Sequence, residues 1–437
     1  MSEIKDSGIE WVDKIPVDWE IRPVYYYFDE RKNKNKLMSE TNLLSLSYGN
    51  VIRKDINSNG GLLPENFSSY NIIEPCDIVI RPTDLQNDKR SLRTGYVNEH
   101  GIITSAYITL KPKTRTNSKY YHYLLHTYDV MKVFYNMGNG VRQGLNYNEF
   151  SKLLLISPPK DEQDSIVKYL DFKCSEIDSL TDNIQEQITT LEEYKKSVIT
   201  EAVTKGLDSN VEMKDSGIEW IGTIPKYWAV EKIKYHLQRK EPKNPGNVQV
   251  LSVYREHGVI PKDSRDDNHN VTSEDTSKYK YVKPGNLVIN KMKAWQGSLA
   301  ISEYEGIVSP AYFIYHFIDD VFNKKYFHYL IRSCYKDEFR RISTGIREGQ
   351  WDLPSRDFEN EFVLIPPKNE QDDIVNYLDS KCSEIDAIIQ TKKEQLDLLA
   401  EYKKSLIYEY VTGKKEVPVN EWHFKWKAVS KVYFKLP

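Results

Sequence analysis

Apolar residues fall at every seventh place over a long stretch of this chain: Leu170, Ile177, Ile184, Leu191 and Val198. Leu180, Ile188, Tyr194 and Ala202 occupy the intermediate positions, so the period is that of a helix carrying a coiled-coil seam. The same register returns later in Leu378, Ile385, Leu399 and Leu406, with Lys392 interrupting and Ile388, Ile389, Leu396 and Tyr402 added. Pro158-Pro159 and Pro366-Pro367 stop whatever precedes each helix, and Asp161 or Asn369 is expected as the N-cap. Asp164 and Asp372 would place negative charge in the first turn, and Gly206 or Gly413 would close the far end. About 41 helical residues at 1.5 Å each predict rods of roughly 60 Å. Each rod exposes an apolar stripe that needs a partner, and antiparallel pairing of the two would place one domain at either end.

The two helices are copies. Residues 158–206 and 366–414 share 29 of 49 positions without a gap. Upstream of each lies a leader, "KDSGIEW" at Lys5 to Trp11 and again at Lys214 to Trp220. Between leader and helix the halves diverge but keep a skeleton. "IIEPCDIVIRP" answers to "YVKPGNLVINK", "GIITSAYITL" to "GIVSPAYFIY", "KYYHYLL" to "KYFHYLI", and "GVRQG" to "GIREG". Each variable block of about 140 residues is of ordinary single-domain size, and the chain as a whole is an internal repeat. The expected divisions are 1–157, 158–206, 207–365, 366–414 and an unrepeated tail, 415–437.

Composition changes the picture only when resolved by segment. The 437 residues carry 61 Lys and Arg against 64 Asp and Glu, a net charge of −3. The variable blocks are mildly basic, +5 for residues 20–157 and +3 for 222–365, whereas the helical segments are acidic, −5 and −3. Basic domains on acidic rods suit domains that touch phosphates and rods that touch protein. No run of about 18 apolar residues is present and the start "MSEIKDSG" is polar, so a soluble, cytoplasmic protein without a membrane partner is expected. Cys76, Cys174, Cys334 and Cys382 are too scattered for a zinc site or a disulfide framework, and reduced thiols are expected.

Catalytic motifs fail on inspection. "SPPK" at Ser157 to Lys160 lacks the stacking aromatic of an amino-methyltransferase motif and fits a strand-to-helix corner. "EYK" at Glu193 to Lys195 and Glu401 to Lys403 sits on the heptad helices without an upstream Asp, as a solvated helix face would. P-loop, HExxH and GxSxG motifs are absent.

The "GIEWIGTIPKYW" leader, the "PGNLVIN" strand and the "GIR" loop followed by "PPKNEQDDIVNYLD" resemble the specificity subunits of type I restriction-modification systems. The resemblance runs from about Lys5 to Gly413 and includes both helices. It implies an α+β fold with a pseudo-two-fold internal repeat: two target-recognition domains of mixed α and β structure held by two long helices in an antiparallel coiled coil. It also implies a non-catalytic role, in which each domain reads one half of a bipartite, asymmetric sequence in double-stranded DNA and the helices set the unread spacer. Two methylation subunits and motor-nuclease restriction subunits are the implied partners, with no cofactor bound directly and S-adenosylmethionine held by the methylation subunits. A coiled-coil scaffold with two protein-binding domains is the competing reading; a self-sufficient nuclease or methyltransferase is disfavoured by the missing motifs.

Three loops per domain are the candidate DNA contacts. The first follows the "DIVI" or "NLVI" strand: Arg81, Gln86, Lys89, Arg90 and Arg93, and in the second half Asn290, Lys291, Lys293, Trp295 and Gln296. The second is the glycine loop, with Asn139, Arg142 and Gln143 against Arg347 and Gln350. The third carries Asn50, Arg53 and Lys54 against Arg255 and His257. Arg pairs bidentately with guanine and Asn or Gln with adenine, although half or more of such contacts go to the backbone.

Overall fold

The computed structural model describes residues 3–56, 66–85, 92–135, 137, 144–246, 248–255, 258–264, 272, 275–345 and 351–418. Two mixed domains are joined by two long helices, Lys160–Lys205 and Lys368–Val411. The compact units do not follow the segment boundaries of the sequence. One unit takes residues 1–184 with the chain from 394 onward, and the other takes 185–393. Each therefore contains one domain and roughly half of both helices.

Both domains are built on the same four-stranded antiparallel sheet. In the first the order is Phe28–Glu30, Ile108–Pro112, Ile78–Ile80, Thr94–Tyr96. In the second it is Leu237–Arg239, Tyr312–Phe317, Leu287–Asn290, Leu299–Ile301. The central strands Ile78–Ile80 and Leu287–Ile289 are fully buried, which explains their unbroken apolar runs. A helix, Ser118–Val130 or Lys324–Cys334, follows the strand Ile108–Pro112 or Tyr312–Phe317, capped by Asn117 or Asn323, whose side chain accepts from the first free N–H groups. Glu20–Pro23 pairs with Leu154–Ser157, and Ala229–Lys232 with Phe362–Ile365, so each domain closes where it hands the chain to its long helix.

The prolines set the helix starts two positions earlier than expected. Pro159 accepts from both Glu162 N and Gln163 N at 3.0 Å, so Asp161 lies inside the first turn instead of capping it. Asn369 is likewise within the helix that begins at Lys368. Asp164 and Asp372 bind the Asn117 and Asn323 side-chain amides at 2.6 and 2.7 Å, tying each domain helix to a long helix.

Antiparallel pairing is visible in each unit taken alone. In the first, Lys403 reaches Asp178 at 2.6 Å and Tyr410 donates to Tyr169 at 3.2 Å. In the second, Lys195 reaches Asp386 at 2.6 Å and Lys392 donates to Gln187. Lys392, the break in the apolar register, thus spends its charge on a neighbouring amide. Leu170, Ile177, Ile184, Ile188, Val198 and Ala202 are buried, as are Leu378, Ile385, Ile389 and Leu406. Leu191, Leu396 and Leu399 are half-buried, and four expected seam positions are exposed: Leu180, Tyr194, Ile388 and Tyr402, at 48, 53, 41 and 55%. These four form two repeat-equivalent pairs, so the paired stripe is narrower than the apolar pattern.

Candidate nucleic-acid interface

The repeated sequence motifs build the frame that presents the loops. In "KDSGIEW" Lys5 Nζ donates to Val17 O and Trp19 O at 2.7 and 2.6 Å, and Asp6 accepts from Gly8 N, where φ is +65°. Lys214, Asp215 and Gly217 repeat this arrangement, with Lys214 Nζ 2.6 Å from Trp228 O. Trp11 packs edge-on against Tyr128, and Trp220 against Tyr335.

"PPKxEQ" supplies the other side of the joint. The fully buried Trp19 and Trp228 donate through Nε1 to Glu162 and Glu370 at 3.0 and 3.1 Å. Burial raises the Glu162 carboxyl above its ordinary pKa, opposed by the indole N–H. Gln163 and Gln371 donate back to Pro158 O and Pro366 O at 2.9 Å. Gly413 has φ +70°, and a side chain there would meet Pro16 and Trp19, so the end of the second long helix abuts the first leader. Tyr120 OH completes that joint on Val411 O at 3.0 Å, as Tyr326 OH does on Val203 O at 3.1 Å.

On this shared frame the loops differ. In the first domain Asn50, Arg53 and Lys54 stand exposed on and beside the hairpin strand Asn50–Arg53. Arg53 is paired with Glu99 at 2.6 Å, which lowers the Glu99 carboxyl pKa. Arg81 is half-buried at the start of its loop.

Arg93 is a correction. It is fully buried, with Nη2 on Asp84 O at 2.8 Å, Nη1 on Thr83 O and Nε on Tyr135 OH at 3.1 Å. Asp129 accepts from Tyr135 OH and from the Arg93 and Thr94 backbone N–H groups. An arginine committed to loop carbonyls in the interior shapes the loop from beneath and cannot present a fork to a base.

The second domain brings its candidates together. Gly297, at φ +85°, ends the short turn Ala294–Gln296. Gln296 accepts from the exposed Arg255, whose own carbonyl accepts from Arg332. Lys291 pairs with Asp352 at 3.1 Å, Asn290 is half-buried and Lys293 is exposed. Trp295 lies 5.3 Å from Trp351, centroid to centroid, and the Arg340 guanidinium sits 5.9 and 5.7 Å from the two rings. Trp351 and Arg340 were not foreseen, yet Trp351 directly follows "GIREGQ", where an aromatic beside a glycine loop is a usable signal. The set offers arginine and lysine charge, amides for base edges and an indole pair for stacking.

Gln86, Lys89, Arg90, Asn139, Arg142, Gln143, His257, Arg347 and Gln350 lie outside the described residues. Among the described residues no group of three or more His, Cys, Asp and Glu is placed to hold a metal ion, and no helix is long and apolar enough to cross a membrane.

No family model matches the chain. It is 24% identical over 340 residues to the type I restriction enzyme MjaVIII specificity subunit of Methanocaldococcus jannaschii, covering 73% of this chain and 75% of that one. It is 25% identical over 329 residues to the putative MjaX specificity subunit of the same organism, covering 70% of each. Both of these relatives are type I restriction specificity subunits, and it is to them that this chain is similar. The fold agrees: a chain from a solved structure described as the basis of complex assembly and conformational transition of the type I R-M system aligns at a TM-score of 0.66. That match has 13% identity and covers 92% of this chain and 99% of the other. Specificity subunits are in general non-catalytic parts of restriction-modification complexes.

Proposed function

We propose that this protein is the DNA-recognition subunit of a type I restriction-modification complex. Its two domains each read one half of a bipartite, asymmetric target, and its long helices fix the unread spacer and dock two methylation subunits. Motor-nuclease subunits join that core, S-adenosylmethionine belongs to the methylation subunits, and the assembly works in the cytoplasm. One observation carries the reading: two nearly identical joints of leader and helix support two domains whose exposed loops share almost no side chains.

Within the first domain Asn50, Arg53, Lys54 and Arg81 are the described residues proposed to meet DNA; Gln86, Lys89, Arg90, Asn139, Arg142 and Gln143 complete the set. In the second they are Arg255, Asn290, Lys291, Lys293, Trp295 and Gln296, joined by Trp351 and Arg340, with His257, Arg347 and Gln350 beside them. The exposed apolar side chains Leu180, Tyr194, Ile388, Leu398 and Tyr402 on the long helices support docking of partner helices there.

Reconstitution with cognate methylation subunits, followed by mapping of methylated adenines across a genome, tests the proposal. A single bipartite, non-palindromic motif is expected. Methylation without a motif, or none at all, would overturn it.

A further inference from the structure

The two domains part company where the last sheet strand turns into the capped helix. From Pro112, which pairs with Phe28, four residues lead to the Asn117 cap; from Phe317, which pairs with Leu237, five lead to Asn323. In the second domain that longer loop, Ile318-Asp319-Asp320-Val321-Phe322, packs onto the first turn of the long helix. Gln371 Oε1 accepts from Asn323 N at 2.7 Å and Gln371 Nε2 donates to Val321 O at 2.9 Å. Phe322 is 3% exposed, with its ring 5.0 Å from Phe327 and 5.2 Å from His236. Asp320 meets Lys368 at 3.2 Å.

In the first domain the shorter loop makes none of these contacts. Thr116 stands where Phe322 does, one residue before the cap, and Tyr121 replaces Phe327. A cleft of about 670 Å³ remains, with Tyr27, Thr116, Tyr121 and Gln163 among its lining. Gln163 is 6% exposed and its Oε1 has no hydrogen-bond partner among the described residues. The amide orientation is fixed, because Nε2 faces Pro158 O, which can only accept. A buried carbonyl oxygen without a donor is costly, so the cleft is built for something that brings one. Its rim is basic: Lys111 and Arg115 have no ion-pair partner among the described residues, and Lys113 meets Asp29 at 3.4 Å.

The filled copy states what fits the open one. We propose that the first domain's cleft docks a peptide segment of a partner protein, with acidic residues followed by an aromatic one. The aromatic ring enters beside Tyr121 as Phe322 lies beside Phe327, the next main-chain N–H donates to Gln163 Oε1, and the acids meet Lys111 and Arg115. This is a site for protein, separate from the loops proposed to read DNA.

The probe is a fluorescein-labelled peptide copying residues 318–323, titrated into the full chain by fluorescence anisotropy. Saturable binding is expected, weakened about tenfold or more when the position of Phe322 in the peptide is alanine. Thr116→Phe, which fills the cleft as the second domain does, should abolish binding without lowering the thermal midpoint. Arg115→Glu, at an exposed position, should weaken it about tenfold at low salt with the thermal midpoint unchanged. Absence of saturable binding, or undiminished binding by both variants, would overturn the proposal. So would binding only by a chain ended after Pro418, which would give the cleft to the chain's own tail, or displacement by duplex DNA, which would make the rim a phosphate contact.

Discussion

The joints of the two halves repeat their principal bonds; the loops they carry do not. Trp19 and Glu162 repeat as Trp228 and Glu370, Lys5 repeats as Lys214, and Asp178 with Lys403 repeats as Asp386 with Lys195. Where the first domain shapes a loop with a buried Arg93–Asp129–Tyr135 network, the second has Ser298 on Val253 O and a surface array of two tryptophans and arginines. A duplicated scaffold keeps what holds it together and varies what it presents. That division of labour makes the halves predictable in opposite ways.

The frame gives the largest and most symmetric effect. Trp19→Ala and Trp228→Ala each empty a fully buried site and should each cost about 3–5 kcal/mol, although Glu370 keeps the Tyr227 hydroxyl as a donor. Chemical denaturation of the two variants checks whether the losses match. An interior difference comes next. Asp129→Ala removes the acceptor of two buried N–H groups and should destabilise the first unit by about 1–3 kcal/mol, seen by hydrogen exchange, with protection in the second unit unchanged.

Surface differences should act on DNA alone. Trp295→Ala should weaken binding of the reconstituted complex by about 1–3 kcal/mol, with stability unaffected. Methylation maps should show relaxed preference in one half-site only.

The smallest effect is a pH dependence confined to the second unit. Burial, then the neighbouring Glu338, pushes Glu361 up to about 7 from an ordinary 4.5. Leu153 occupies the repeat-equivalent position. An acid with a raised folded pKa holds a proton that the unfolded chain has released, so stability is lost as pH rises from about 4.5 through about 7. Glu361→Gln should flatten that slope in hydrogen-exchange profiles of the second unit and leave the first as it was.

The duplication, the helix period and the glycine ends were open to reading because identity and periodicity are local properties. Exposure was not. Leu180, Tyr194, Ile388 and Tyr402 satisfy the apolar pattern yet face outward, since a pairwise seam covers fewer positions than the pattern offers. Arg93 reads as a surface cation in a loop of polar residues, and only Asp129 and Tyr135, more than thirty residues away, reveal its burial. The Trp295–Trp351 pair joins residues 56 positions apart. Both cases depend on partners brought together by the sheet, which no window of sequence contains.

A chain whose first variable block is replaced by a second copy of the other tests most directly that each domain reads its own half-site. Reconstituted with methylation subunits and mapped for methylated adenines, it should give a symmetric motif made of two inverted copies of the second domain's half-site, with the spacer unchanged. An asymmetric motif identical to that of the parent chain would contradict the account.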